Sequence, residues 1–258
     1  MIDISFWQIA IMFLLCILAG FIDSIAGGGG LVSLTSYYAI GLPPVYALGN
    51  NKFSSTFGTL FATINYARGK NVVWRIGLFA SVFAISGAAI GAQLALVFAT
   101  RVFQYILLVV LPFLTVFTLR KHRRENDGNM IDIGKPIKAN IYAIASLMSF
   151  AIGVYDGFFG PGTGMFYTLA LSFIGFDMIK ACGTTKFLNL ASNIAALSTF
   201  IINGNIIYEL GIPCVFASII GNLLGSEFAI KKGDKGIRPI LVVVIIMLYI
   251  KIILGLFF

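Results

Sequence analysis

Two aspartates and two lysines hold most of the chemistry this sequence can offer, and each sits beside a run of glycines or small polar residues. Asp23 precedes Gly27-Gly28-Gly29-Gly30, and Asp156 precedes Gly160-Pro161-Gly162-Thr163-Gly164. Lys52 follows Gly49-Asn50-Asn51, and Lys186 follows Gly183-Thr184-Thr185. All four lie at the ends of strongly apolar stretches. A carboxylate at the centre of a membrane helix costs about 2.5–3.5 kcal/mol, so such residues pair or line a cavity. Two readings of Asp23 and Asp156 stand: proton-coupling or gating acids, or interfacial and helix-capping residues. Asp156, flanked by Tyr155, Phe158 and Phe159, has the more apolar neighbours and is the favoured coupling acid. Asp23 is followed by Ser24, whose hydroxyl is expected to help satisfy it.

The lysines read as fixed cations among hydrogen-bond donors. Asn50, Asn51, Thr184 and Thr185 adjoin them, and Asn189 and Asn193, four residues apart, share one helix face. Donors around a cation suit a small oxyanion; snorkelling of each lysine to the interface is the other reading. Four successive glycines, or Gly-Pro-Gly-Thr-Gly, do not continue a stable helix, since glycine and proline disfavour its interior by about 1 and 3 kcal/mol. A helix broken there exposes free N–H groups and a positive dipole end to an anion. In lipid, such backbone is tolerated only facing protein or water. Gly27 to Gly30 and Gly160 to Gly164 are therefore expected to line a solute path, with close helix packing as the alternative.

Other chemistries find little support. No G-x-x-x-x-G-K-[ST] nucleotide loop is present. The single histidine, His122, lies in a basic stretch without a nucleophile, so no catalytic residues are assigned and no enzyme is expected. Cys16, Cys182 and Cys214 are widely spaced, with no C-x-x-C pair, so neither a disulfide framework, a metal site nor a cofactor is expected.

The elements that must position these groups are membrane helices. Of 258 residues, 59% are hydrophobic and 11% charged, against about 45–50% and 25% in soluble domains. Apolar segments run over 5–26, 31–40, 45–67, 76–98 and 103–119, then over 139–159, 165–176, 187–202, 206–230 and 237–258. The first reads as a retained span, because it lacks a basic n-region and exceeds a signal peptide's core. The net charge of +8 resides in short loop clusters, as the positive-inside rule requires, and does not form a nucleic-acid-binding face.

The two sets of segments are copies. At an offset of 133, Gly20, Asp23, Gly27 and Gly29 match Gly153, Asp156, Gly160 and Gly162. At 134, Gly41, Ala47, Gly49, Lys52 and Phe53 match Gly175, Ala181, Gly183, Lys186 and Phe187, and Gly87 and Gly91 match Gly221 and Gly225. The fold class expected is all-α integral membrane. Residues 1–119 form the first repeat, 120–138 a cytoplasmic linker and 139–258 the second repeat. Arg68, Lys70 and Arg75 flank one loop while its counterpart, Asn203 to Glu209, has no positive charge. The loop around Arg101 is poor in charge while its counterpart holds Lys231, Lys232, Lys235 and Arg238. This reversal favours an inverted repeat of about five segments per half. If the short second segment only re-enters, four crossings and a parallel repeat follow.

At these motifs the sequence resembles the TauE/SafE family of sulfite exporter-like transporters, also called the toluenesulfonate uptake permease family. The carriers are Asp23 to Gly30, Gly41-Leu42-Pro43-Pro44 and Ala47 to Lys52, then Asp156 to Gly164, Gly183 to Lys186, Asn189 and Asn193. The resemblance implies a secondary transporter in the bacterial inner membrane that moves sulfite, sulfoacetate or related sulfonates, with proton coupling as an expectation. A channel-like anion pore is the alternative, and a membrane-embedded enzyme a more distant one. The expected partners are a small anionic solute, the lipid bilayer and, as a homodimer, a second copy of the chain.

Overall fold

The computed structural model describes residues 4–97 and 137–257. Among them the chain forms nine helices: α1 (Phe6–Ala26), α2 (Gly29–Ala39), α3 (Pro44–Arg68), α4 (Trp74–Val97), α5 (Ala139–Phe158), α6 (Thr163–Ile174), α7 (Met178–Ile202), α8 (Tyr208–Lys232) and α9 (Asp234–Phe257). The expected segment at 103–119 and nearly all of the linker at 120–138 lie outside the described residues. Among the described residues, five of these helices are long and apolar enough to cross a membrane: α1, α4, α5, α7 and α8. Their outward side chains are large and apolar, as lipid permits; Phe6, Trp7, Leu14, Leu147 and Ile202 are all highly exposed. The 25-residue α3 is more polar because it buries Asn50, Asn51, Lys52, Ser54, Thr56, Thr59 and Thr63 against protein.

Most helix bounds fall close to the apolar segments. The main departure is α7, which starts at Met178, nine residues before the expected 187. Its polar run Gly183 to Lys186 is helical because Asp177 caps the start, accepting from the Lys180 N–H at 2.9 Å, and because protein shields those side chains from lipid.

The sense of each helix follows from contacts at small residues. Gly221 of α8 packs on Ile17 and Phe21 of α1, and Gly225 on Phe21 and Ser24, so these helices run side by side in one direction. Asn65 of α3 donates to Ser226 of α8 at 2.8 Å, while Gly58 meets Ser218 and Asn222, so α3 shares that direction. In the other half, Gly87 of α4 packs on Phe150 and Val154 of α5, and Gly91 on Val154 and Phe158. Those two helices are also mutually parallel. Near the start of α3, Gly49 meets the Asn205 carbonyl beyond the end of α7; near the start of α7, Gly183 meets the Asn71 carbonyl beyond the end of α3. The helices α3 and α7 are therefore antiparallel. Gly77 near the start of α4 meets Thr184 and Phe187 near the start of α7, and Asp156 near the end of α5 is bonded by Ser192 farther along α7, so α4, α5 and α7 run together. Thus α1, α3 and α8 point one way, and α4, α5 and α7 the other. The contacts come in sets related by the same offsets of 133 and 134 that relate the two halves of the sequence.

Candidate functional site

The site is built on two helix breaks that touch. The first helix closes on Gly27, whose φ of 73° is left-handed and whose N–H bonds the Asp23 carbonyl at 2.7 Å. A glycine takes that conformation without a Cβ penalty. Only Gly27 and Gly28 are non-helical; Gly29 and Gly30 form the first turn of α2. The break is narrower than four glycines suggest, because first-turn N–H groups need no partner within the helix and tolerate glycine there. From this break α2 folds back along α1, and Gln8 near the start of α1 donates to the Ile40 carbonyl at the end of α2.

The second break runs from Phe159 to Gly162, where Gly162 has φ 80°. It is stitched together by Thr163 Oγ1 donating to the Gly160 carbonyl at 2.6 Å and Tyr155 Oη to the Pro161 carbonyl at 2.5 Å. The two breaks then meet. A Cβ on Gly164 would lie 2.5 Å from the Cα of Gly27, and one on Gly30 would lie 3.3 Å from the Cα of Pro161. No side chain fits between the first pair.

Around this junction the charged residues join across the halves. Lys52 Nζ lies 2.6 Å from Asp156 Oδ1, with both side chains 2% exposed. Lys186 Nζ lies 2.7 Å from Asp23 Oδ2, with exposures of 1% and 13%. Each lysine thus meets the aspartate of the other repeat, and the two pairs are equivalent under the duplication. Burying an ion is tolerated only when it is paired and its remaining hydrogen-bonding capacity is met. Lys52 also donates to Asn193 Oδ1 at 2.9 Å, and Ser192 Oγ donates to Asp156 Oδ2 at 2.7 Å. Asp23 Oδ1 accepts from the Gly29 N–H at 3.3 Å, which ties the carboxylate to the start of α2. Ser24 is not its partner, since that hydroxyl donates to the Phe21 carbonyl at 3.2 Å.

The other expected residues divide in two. Asn193 touches a lysine, and Asn189, buried one turn away on α7, leaves Oδ1 without a partner. Asn50 likewise leaves Oδ1 unpaired while its Nδ2 donates to the Tyr46 carbonyl. By contrast, Asn51 accepts from Ser33 at 2.6 Å, Thr185 accepts from Thr168 at 3.1 Å, and Thr184 accepts from the Val73 N–H at 3.0 Å. Those three side chains bind neighbouring elements to α3 and α7. Sequence reasoning misses Ser192, Ser33 and Thr168, hydroxyls whose partners lie on other helices.

Comparison with known proteins agrees with this architecture. Residues 12–252 match the family model described as "Sulfite exporter TauE/SafE". The chain is 36% identical to the "Probable membrane transporter protein ORF9" of Sinorhizobium sp, over 97% of this chain and 94% of that protein. It is 35% identical to the "Probable membrane transporter protein YfcA" of Escherichia coli strain K12, over 92% and 86% respectively. A "Probable membrane transporter protein" of Haemophilus influenzae is 32% identical over 97% and 96%. No solved structure matches the chain. A multi-pass helical protein with such bacterial relatives is placed in the cell inner membrane, where helices rather than closed barrels span the bilayer. The chain belongs to the TauE/SafE family of membrane transporters.

Proposed function

We propose that this protein is a secondary carrier of small anions, with sulfur oxyanions and sulfonates as its solute class, working as an inverted repeat. The observation that carries the proposal is the reciprocal set of buried ion pairs at the meeting helix breaks. In the resting arrangement each lysine is held by an aspartate of the other repeat, so the site is neutral and dry enough for charge to matter. An oxyanion reaching the junction competes with the carboxylate for the same ammonium hydrogens. The carboxylate set free must itself be neutralised, and a proton taken by Asp23 or Asp156 would couple anion movement to the pH gradient. Supporting the solute class are the two buried ammonium groups carried by α3 and α7 and the sulfite-exporter description of the matching family. Supporting the inverted arrangement are the opposite senses of α1 and its sequence counterpart α5.

Thermal unfolding of purified protein against sulfite, sulfoacetate, other sulfonates and carboxylates tests this directly. A sulfur-containing anion is expected to raise the midpoint of the parent and to have little effect on Lys52→Met or Lys186→Met. Stabilisation that persists undiminished in both variants would remove the lysines from the site.

A further inference from the structure

Beside Asp23 lies a polar cavity whose lining is only partly repeated at the equivalent positions of the second half. It is lined by Asp23, Ser33, Ser54, Ser55, Ser218 and Asn222, contributed by α1, α2, α3 and α8, and has room for about one water molecule. Under the offset of 134, Ser54, Ser218 and Asn222 correspond to Leu188, Ala84 and Ala88. Leu188 and Ala84 belong to one hydrophobic cluster. The backbone frame is nonetheless shared: Gly20 faces Ser218 and Asn222 as its equivalent Gly153 faces Ala84. Ser55 matches the polar Asn189, but the three polar residues set against apolar equivalents are hard to account for by packing, since burying unneeded polar groups costs stability.

The lining is rich in oxygen atoms, from Asp23, four serines and Asn222, and the donors beside it, the Gly29 N–H and the Lys186 ammonium, are both spent on Asp23. Ser33 directs its hydroxyl hydrogen to Asn51 Oδ1 at 2.6 Å and Ser54 its own to the Asn50 carbonyl at 3.1 Å; the Tyr37 hydroxyl lies 3.5 Å from Ser54 Oγ, so each serine keeps at least one lone pair. Asn222 Nδ2 is fixed by the Ser218 carbonyl at 2.9 Å, which orients the amide and leaves its fully buried Oδ1 without a partner. Asp23 spends one oxygen on Lys186 and a long bond to Gly29, keeping further acceptor capacity. The break at Gly27 places the negative end of the α1 dipole nearby, opposed by the positive end of α2, which the Asp23 carboxylate already engages through Gly29.

From this we propose that the cavity is a binding site for a small monovalent cation, sodium in the first instance, held by Asp23, Asn222 Oδ1 and the serine hydroxyls. One carboxylate among neutral oxygens suits a single positive charge, and among the described residues no cluster of three His, Cys, Asp or Glu exists for a more highly charged metal. The space excludes a sulfonate. Where the carrier proposal holds, the cation has a defined task. Bound beside Asp23, it competes with Lys186 for the carboxylate and frees that ammonium for the anion, so one cation and one monovalent anion enter with no change in net charge. A proton on Asp23 would perform the same electrostatic work.

The test uses full-length purified protein without any anionic solute, which keeps it independent of the carrier proposal. Thermal unfolding and equilibrium binding of radioactive sodium are measured at fixed ionic strength, sodium chloride being exchanged for choline chloride, at several pH values. Expected are a saturable rise of the midpoint with sodium, saturable sodium binding, and about a tenfold weaker apparent affinity in Ser218→Ala, a change worth one polar contact. Ser218→Ala copies the residue that the second repeat already uses at this position. Identical midpoints in sodium and choline together with no saturable binding overturn the proposal. So does stabilisation that follows pH alone, which would assign the cavity to a water serving a proton on Asp23.

Discussion

Removing the Lys52 ammonium alone should damage the protein more than removing it together with the charge of its partner. At an effective dielectric constant of about 20, unit charges 2.6 Å apart attract by roughly 6 kcal/mol. Desolvating two ions offsets most of that, so the pair as a whole adds little net stability. A single substitution is different, because it strands one ion where both side chains are 2% exposed. Lys52→Met therefore should cost about 3–5 kcal/mol, and Asp156→Asn a comparable amount, since Lys52 would keep only the Asn193 amide oxygen. The double variant Lys52→Met/Asp156→Asn leaves no stranded charge and should recover at least about 2 kcal/mol relative to the sum of the singles. The assay is denaturant or thermal unfolding of detergent-solubilised protein, run as a full double-mutant cycle. Additivity within about 0.5 kcal/mol would refute the claim that these two charges are coupled in the dry interior. The Lys186–Asp23 pair provides an internal comparison. Asp23 is 13% exposed and adjoins the polar cavity, so water can screen a stranded charge and its cycle should show the smaller coupling.

Gly27→Ala should strongly reduce the yield of monodisperse protein by size-exclusion chromatography, because a Cβ there is disfavoured at φ 73° by roughly 1–2 kcal/mol and also meets Gly164; parent-like yield would remove the helix junction as a constraint. Single cysteines at Asn71 and Asn205, in a cysteine-free background, should label from opposite sides of the membrane, and labelling from one side would sink the inverted arrangement. Cys182→Ala should transport normally with a stability loss of about 1 kcal/mol, because the thiol is buried and donates to the Ile25 carbonyl at 3.4 Å. Lost uptake by a well-folded Cys182→Ala protein would give the thiol a part in transport.

The apolar segments and the duplication are legible because both are periodic properties of the chain, and lipid punishes departures from them. The narrow extent of the first break is less so, since composition does not reveal that Gly29 and Gly30 can serve as a first helical turn. The pairing of Lys186 with Asp23 joins residues 163 positions apart and needs the arrangement of helices to be known. Preference for Asp156 as the coupling acid rests on its neighbours in sequence, Tyr155, Phe158 and Phe159. In three dimensions those neighbours do not decide its surroundings, for Lys52 arrives from α3 and Ser192 from α7. The polar groups near Asp23 likewise come from α2, α3 and α8. A usable signal did exist in the positions where the copies differ. Ser218 and Asn222, four apart on one helix face, stand against Ala84 and Ala88.

That difference bears on how a duplicated site can act in one direction at a time. Two equivalent ion pairs, each bridging the halves, make the resting site neutral and symmetric, and symmetry alone gives no preference for which lysine is released. The polar lining beside Asp23, only partly repeated at the equivalent positions beside Asp156, removes the equivalence. Lys186 can be released by a cation or proton arriving beside Asp23, while Lys52 stays held by a carboxylate that Ser192 and Asn193 enclose. Under the two proposals above, the pair beside the cavity is the first to open to solute and the enclosed pair the second. Coupling would follow from the chemistry of Asp23, and Asp156 would govern stability more than ion dependence. The two double-mutant cycles and the sodium titration measure these roles separately.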